Sequence, residues 1–327
     1  VDRPRIAVIG AGKFGQNHVR HLTAHAGVEL VGVADPNPAV QFPGIAVVAD
    51  YRELIGKIDC AVVAAPSSLH AEIGSVLLEA GIDVLMEKPI AEDAAGAQRL
   101  ISLAKGRILQ IGHLERFNPA VEALATKIKL PLFFEIHRLS AFSPRSHDID
   151  VVLDLMVHDL DLLLTFTGQM PSAIHAAGIR VLSKKVDIAN VRIEFPSGCV
   201  ANLTASRVST EQVRKLRMFQ PHEYHSLDFA KQELFSIKGG GPMGQAGGPM
   251  GQAGGPMGFQ FQHAAITKRD SLAAELDEFI ACVQTRSAPR VDGAAGWRAL
   301  EVALAIIGKI EEHARVVEAT LAAQQPE

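Results

Sequence analysis

The residues whose types and spacing can do chemistry fall in three groups. The first is Gly10-Ala11-Gly12-Lys13-Phe14-Gly15, which fits G-x-G-x-x-G. It follows the apolar run Ile6-Ala7-Val8-Ile9 and opens a helical pattern, the context in which such glycines cradle a dinucleotide. Gly10 permits the tight turn, Gly12 lets a pyrophosphate approach the backbone, and Gly15 allows close helix–strand packing. The helix N-terminus adds free N–H groups and a positive dipole end. Asp35 ends the second predicted strand, 20 residues after Gly15, where a carboxylate accepts hydrogen bonds from the adenosine ribose. It would repel a 2′-phosphate, and no arginine immediately follows, so NAD is preferred to NADP. Gly10, Gly12, Lys13, Phe14, Gly15 and Asp35 are therefore candidate cofactor-binding residues. The plainer alternative is a glycine turn beside a capping aspartate, and the shared register of strand, glycines and acid argues against it.

The second group is Glu87-Lys88-Pro89, after the run Val84-Leu85-Met86. That places it at the carboxyl edge of a parallel sheet, where open α/β folds bind ligands. A lysine there can shuttle a proton or hydrogen-bond a substrate hydroxyl; the alternative is a surface Glu-Lys pair before a turn. The third group is Asp154 and His158, spaced i, i+4 on one face of a predicted helix, with Asp150 and Asp161 near the same face. Leu153, Met156, Val157 and Leu160 would face a core. Such a helix can present a proton-transfer pair to a cleft, histidine titrating nearest neutrality. A solvated acidic face is the competing reading. No helix-spaced second histidine supports a metal site, and none is expected.

The elements that must position these groups divide into two textures. Over roughly the first 120 residues, short apolar runs alternate with helical patterns, which reads as βαβ units and a doubly wound parallel sheet. Strands are expected at 5–9, 28–34, 59–65, 83–86 and 108–112, with helices at 14–26, 69–80 and 92–104. After Pro119 a helix (119–127) leads to a strand (132–139) and then to the acidic-apolar helix, 151–167. Alternating stretches follow at 173–181, 190–195, 200–208, 216–220 and 224–229, predicting an open, mainly antiparallel sheet in a second α/β domain. Helices at 271–284 and 294–319 complete it. The expected division is 1–118 and 119–327. Between Gly239 and Gly258 GPMGQAG occurs twice, followed by GPMG, and this tract holds ten of the 28 glycines. Its period of seven excludes collagen, and the composition predicts a flexible loop.

Hydrophobic residues at 48% and charged residues at 21% exclude a disordered chain. A net charge of −4 with 5% aromatics argues against a nucleic-acid partner. No apolar run is long enough to span a membrane. The three cysteines, Cys60, Cys199 and Cys282, are far apart, which favours a reducing, cytoplasmic setting. Arg214, Lys215 and Arg217 read as a solvated sheet face, and His222 and His225 as loop or strand-end surface.

Taken in order, these motifs resemble the Gfo/Idh/MocA oxidoreductase family. The likeness rests on GAGKFG, Asp35, Pro66-Ser67-Ser68-Leu69-His70, Glu87-Lys88-Pro89, the run Gly112-His113-Leu114-Glu115-Arg116-Phe117-Asn118-Pro119, and Asp154, His158 and Asp161. It implies an N-terminal Rossmann domain, a C-terminal domain whose open sheet serves oligomerisation, and a homodimer or homotetramer. It further implies that Lys88, Asp154 and His158 hold the catalytic positions, that a cis bond precedes Pro89, and that Ser67, His70, Glu87 and Lys88 lie near the cofactor. Lys88, Asn118, Arg145, Asp154 and His158 are the implied substrate contacts. Asp148-Ile149-Asp150 stands where many members carry a glycine triplet. Phe142-Ser143-Pro144-Arg145 and Arg217-Met218-Phe219-Gln220 look most like a branch acting on nucleotide sugars such as UDP-N-acetylglucosamine, oxidised at C3 to the 3-keto sugar. Either His158 or Lys88 would be the base, with Asp154 orienting it. The alternatives are a dehydrogenase of a free sugar, inositol or other polyol, and a non-catalytic NAD-binding regulatory protein.

Overall fold

The computed structural model describes residues 3–141, 149–239 and 259–323. The chain divides into two compact units, 1–117 with 270–301, and 118–269 with 302–327. The first therefore takes back a segment that the expected single division assigned to the second domain.

In the first unit, β1 (Arg5–Ile9), β2 (Glu29–Ala34), β3 (Ala46–Val48), β4 (Cys60–Val63), β5 (Asp83–Glu87) and β6 (Leu109–Gly112) form one sheet in the order β3-β2-β1-β4-β5-β6. Every neighbouring pair is parallel. This is the doubly wound order in which the switch between β1 and β4 opens a ligand crevice at the carboxyl edge. β4 and β5 are buried along their whole length, as a strand covered on both faces must be. The covering helices are α1 (Lys13–Ala24), α2 (His70–Glu79) and α3 (Ala94–Leu103). The three-residue β3 was too short to stand out by periodicity.

The second unit holds α4 (Pro119–Ala125) and, among its described residues, β7 (Phe133–Leu139), β8 (Ala173–Ile179), β9 (Ile188–Glu194), β10 (Val200–Ser206), β11 (Val213–Gln220), β12 (Glu223–Asp228), β13 (Glu233–Lys238) and β14 (Gln260–His263). Their order is β14-β13-β12-β11-β7-β10-β9-β8, antiparallel throughout except for β7 beside β10. Two strands escaped the sequence reading, β13 and β14. The glycine tract between them lies outside the described residues from 240 to 258, but the strands pair with Lys238 opposite Gln260.

Strict alternation along β7 buries Phe134, Ile136 and Arg138 on one face. Helix α5 (Val157–Thr167) packs there, with Phe134 and Phe166 stacked 6.2 Å apart. Arg138 Nη2 donates to Asp159 Oδ1 at 2.7 Å, and its Nε reaches Asp159 Oδ2 at 2.9 Å. Lys215 and Arg217 are exposed as expected while Arg214 is half-buried, and Arg217 donates to Glu135 across the sheet at 2.7 Å. His225 is a correction. It is fully buried, its Nδ1 2.8 Å from Ser236 Oγ and its Nε2 3.1 Å from Glu223 Oε2, because β13 pairs alongside β12 and α4 packs on both strands.

The two terminal helices are α6 (Ser271–Thr285) and α7 (Gly293–Ala323). Asp270 caps α6, accepting from Leu272 N at 2.9 Å. Leu272, Leu276, Phe279, Ile280 and Val283 bury in one cluster with Ile6, Val8, Val19 and Val62, which is why α6 belongs to the first unit.

The entry to the acidic helix hangs on one polar node. Asp187 Oδ2 accepts from the amides of Val181, Leu182 and Ser183 at 2.7–2.9 Å, and Oδ1 accepts from Ser183 Oγ and Arg207 Nε. Arg207 Nη1 in turn donates to Ile149 O at 2.6 Å. Burial opposes ionisation of Asp187, but the Ser183 hydroxyl and the three amides outweigh it and hold its pKa well below the usual carboxylate range. A depressed pKa means stability present above the unfolded value and lost as pH falls through the folded one. Asp187→Asn turns an NH₂ toward those donors and removes the charge that pairs with Arg207. It should cost about 3–5 kcal/mol at neutral pH. In urea titrations the gap to wild type should narrow as pH drops below ~4.

Candidate functional site

The glycine turn is built by backbone contact. Gly10 has φ of +90°, and a Cβ there would lie 2.7 Å from the backbone of Ala64 and Ala65. A Cβ on Gly15 would lie 1.9 Å from Gly10 O. Gly12 is the opposite case, with nothing within 4 Å of a built Cβ. It is also the N-cap of α1 and supplies no side-chain cap, so the first-turn N–H groups stay open to an anion. Lys13 and Phe14 are exposed beside it.

Asp35 does more than its motif suggests. Oδ2 accepts from Ala11 N at 2.7 Å and Oδ1 from Asn37 N at 2.9 Å. The carboxylate thus clamps the glycine turn to the end of β2 and keeps a further lone pair on each oxygen for ribose hydroxyls. Tight turn, open amide cradle and strand-end acid together fit a dinucleotide.

The other candidates in this unit sort themselves by burial. Ser67 is half-buried in the 3₁₀ turn Ser67–Leu69. His70 is buried, Nδ1 2.7 Å from Pro89 O and Nε2 2.9 Å from Ala65 O. Burial pushes its pKa down, against the help of those carbonyls. His70 thus ties the end of β4 to the Pro89 turn. The Lys88–Pro89 peptide is cis, as expected. Glu87 also turns inward. Its Oε1 lies 2.7 Å from His18 Nε2, and its Oε2 accepts from Lys88 N at 3.3 Å. His18 is fully buried and packs edge-on against Phe14, ring centroids 5.4 Å apart. Sequence reading missed His18, although it sits one helical turn after Phe14 and so on the same face. Lys88 is half-buried.

In the second unit Asp154 and His158 are both half-buried. They do not lie on a uniform α-helix. Val152–Met156 forms a π-turn, with Val157 N bonded to Val152 O, before α5 begins. The wider turn rotates the faces. Val152 and Met156 are fully buried, whereas Leu153, expected in the core, is only half-buried. Asp161 is buried as well, not part of an exposed stripe. Asp150 is likewise half-buried, its Oδ1 accepting from Val152 N at 2.9 Å, and burial raises its pKa. Asn118, expected at the substrate, also has a structural task. It is buried, caps α4 by accepting from Ala120 N at 3.0 Å, and donates to Phe229 O at 3.1 Å. Arg145 lies outside the described residues.

Comparison with known proteins matches residues 4–113 to the oxidoreductase family with an NAD-binding Rossmann fold, and residues 136–219 to the GFO/IDH/MocA C-terminal domain. The UDP-N-acetylglucosamine 3-dehydrogenase of Acidithiobacillus ferrooxidans is 35% identical over 94% of this chain and 97% of its own. The chain belongs to the Gfo/Idh/MocA oxidoreductase family. A solved structure of that Acidithiobacillus dehydrogenase superposes with a TM-score of 0.85 at 32% identity, covering 95% of this chain and 99% of the other. An inositol 2-dehydrogenase of Acidothermus cellulolyticus is 32% identical, but over 49% of this chain and 52% of its own. As a member of this family the protein is an NAD-binding oxidoreductase.

Asp35→Asn separates the two jobs of that carboxylate, since an amide oxygen can still accept from Ala11 N. A hydrogen bond to a charged group is worth about 1.5–3 kcal/mol. The variant should therefore bind NADH about 10–100-fold more weakly while its affinity for NADPH holds or rises. Fluorescence titration with both nucleotides reads the ratio, and an unchanged ratio would remove Asp35 from cofactor selection.

Proposed function

We propose that this protein is an NAD-dependent dehydrogenase that oxidises a secondary hydroxyl of a nucleotide sugar, taking UDP-N-acetylglucosamine at C3 to the 3-keto sugar. The observation that carries the substrate is the extent of likeness. The UDP-N-acetylglucosamine dehydrogenase matches 94% of the chain, through both units, whereas the inositol dehydrogenase named above matches 49%. The cradle of Gly10, Gly12, Gly15 and Asp35 supports the cofactor.

NAD, when bound, accepts the hydride of the carbinol carbon. The protein's part is to take the hydroxyl proton and hold the sugar. Lys88 follows Glu87 at the end of β5, on the carboxyl edge of the parallel sheet where such folds bind ligands. As the base, the neutral amine of Lys88 takes the hydroxyl proton while the hydride leaves the carbinol carbon, and the ammonium so formed hydrogen-bonds the new carbonyl oxygen. His158 is the alternative base, and Asp154 orients or charge-stabilises the proton acceptor. Burial leaves both partly accessible, as a proton-transfer group must be. The three free, buried thiols support a reducing compartment. We read the working form as a homo-oligomer, joined through the open sheet.

General acid–base groups typically contribute ~10²–10⁴-fold. Lys88→Ala and His158→Ala should each lower kcat with UDP-N-acetylglucosamine by about that range. NADH affinity should stay within a few-fold of wild type. Near-normal turnover in both variants would sink the site assignment. NAD reduction scored across UDP-sugars, free sugars and inositols tests the substrate. Turnover of inositol but no UDP-sugar would favour the polyol reading, and cofactor binding without turnover on any would favour a regulatory protein.

A further inference from the structure

One imidazole touches both the helix that opens on the glycine turn and the end of the strand that carries Lys88. His18 lies on α1 and is fully buried. Phe14, 40% exposed beside Gly12, packs edge-on against its ring. On the other side Nε2 lies 2.7 Å from Glu87 Oε1. A carboxylate only accepts, so Nε2 carries the hydrogen. Nδ1 has no hydrogen-bond partner among the described residues. A buried polar atom without a partner is costly, and a phenylalanine would meet Phe14 without that cost. Packing therefore does not account for the imidazole, whereas its contact with Glu87 does.

Glu87 passes the contact on. It is the last residue of β5, and its Oε2 accepts from Lys88 N at 3.3 Å. Its two oxygens thus face two donors, one on α1 and one in the Lys88 turn. Room for the carboxyl is made by β6. Gly112 is the register partner of Glu87, and a Cβ there would come within 2.9 Å of Glu87 Oε2. Beyond the turn, His70 Nδ1 lies 2.7 Å from Pro89 O. An apolar pair at 18 and 87 would pack α1 on β5, but apolar contact has no direction. It would offer Lys88 N no acceptor and leave the heading of the turn unset.

We propose that His18 is a positioning residue: through Glu87 it fixes the backbone of Lys88 to the helix that cradles the dinucleotide, so that one hydrogen-bonded chain holds both reaction partners of the sugar. A misplacement of about 1 Å at a reacting group can cost ~10²-fold in rate. The inference rests on the dehydrogenase reading and on Lys88 touching the reacting hydroxyl, so one arm of its test needs no substrate.

Three variants separate the hydrogen bond from the packing. His18→Phe keeps a ring against Phe14 and removes the donor. His18→Gln returns an amide N–H close to the place of Nε2. Gly112→Ala leaves His18 intact and pushes the Glu87 carboxyl aside. The first readout is hydrogen–deuterium exchange at the Lys88 amide, followed by mass spectrometry. Exchange should be at least tenfold faster than wild type in the phenylalanine and alanine variants. The second is turnover of UDP-N-acetylglucosamine at saturating NAD. In the same two variants kcat should fall at least tenfold, while NADH affinity stays within threefold. Glutamine should bring both exchange and kcat back to within threefold of wild type. Wild-type exchange or normal kcat in His18→Phe overturns the proposal, as does a glutamine variant as impaired as phenylalanine. If phenylalanine does not fold, Gly112→Ala decides by the same limits. If wild type turns over no UDP-sugar, the substrate reading fails, and the exchange rates alone judge His18.

Discussion

The first unit depends on one contact that no side chain can adjust: the Cα of Gly15 against the carbonyl of Gly10, with Gly10 itself against the backbone of Ala64 and Ala65. Because the contact is backbone on backbone, it fixes where α1 starts relative to β1 and β4. Everything that faces a dinucleotide follows from that. The first-turn amides of α1 are held at the carboxyl edge, Asp35 accepts from Ala11 N, and His18, packed edge-on by Phe14, reaches Glu87. His70 closes the circuit by joining Ala65 to Pro89. Three loops from separate strands are thereby locked to one another before any ligand arrives, which is what preorganisation requires.

How much of this was legible depended on whether a feature is local. The parallel sheet, the glycine turn and the Asp35 position could be read because strand periodicity and G-x-G-x-x-G each lie within one stretch of chain. The direction in which a polar side chain points is not local. Glu87, His70 and Asn118 are expected near ligands because of where they fall in motifs, but no motif shows the contacts their side chains make with His18, with two carbonyls and with a helix N-terminus. His225 was read as surface because β13, which buries it, is a short strand beside a low-complexity tract and carries little pattern of its own. The return of α6 to the first unit was invisible for a related reason. Its apolar stripe says that it packs, not against what.

Buried charge marks the places where each unit gives up stability for definition. In the second unit Arg138–Asp159 fixes α5 on the sheet, and Arg207–Asp187 holds Ile149 at the entry to the helix that carries Asp154 and His158. Such pairs gain little over apolar packing, but each is satisfied on several sides and each accepts only one arrangement of its neighbours. Hydrophobic contact along α5 alone would permit small slides, since Leu160, Leu162, Leu163 and Leu164 are nearly interchangeable as knobs. The forked guanidinium of Arg138 removes that freedom.

The π-turn then acquires a physical meaning. Between the anchor at Ile149 and the anchor at Asp159, the turn Val152–Met156 holds one more residue than an α-helical turn does. With both ends pinned by buried pairs the bulge cannot migrate out of the helix. Asp154 sits inside it and His158 just after it, so the separation of acid and imidazole is set by the bulge and not by the i, i+4 spacing that first drew attention to them. A solvated acidic face would need neither the bulge nor the anchors, because its residues could take up any helical register at equal cost. Pinning a wide turn between two desolvated ion pairs makes sense where the orientation of Asp154 and His158 matters.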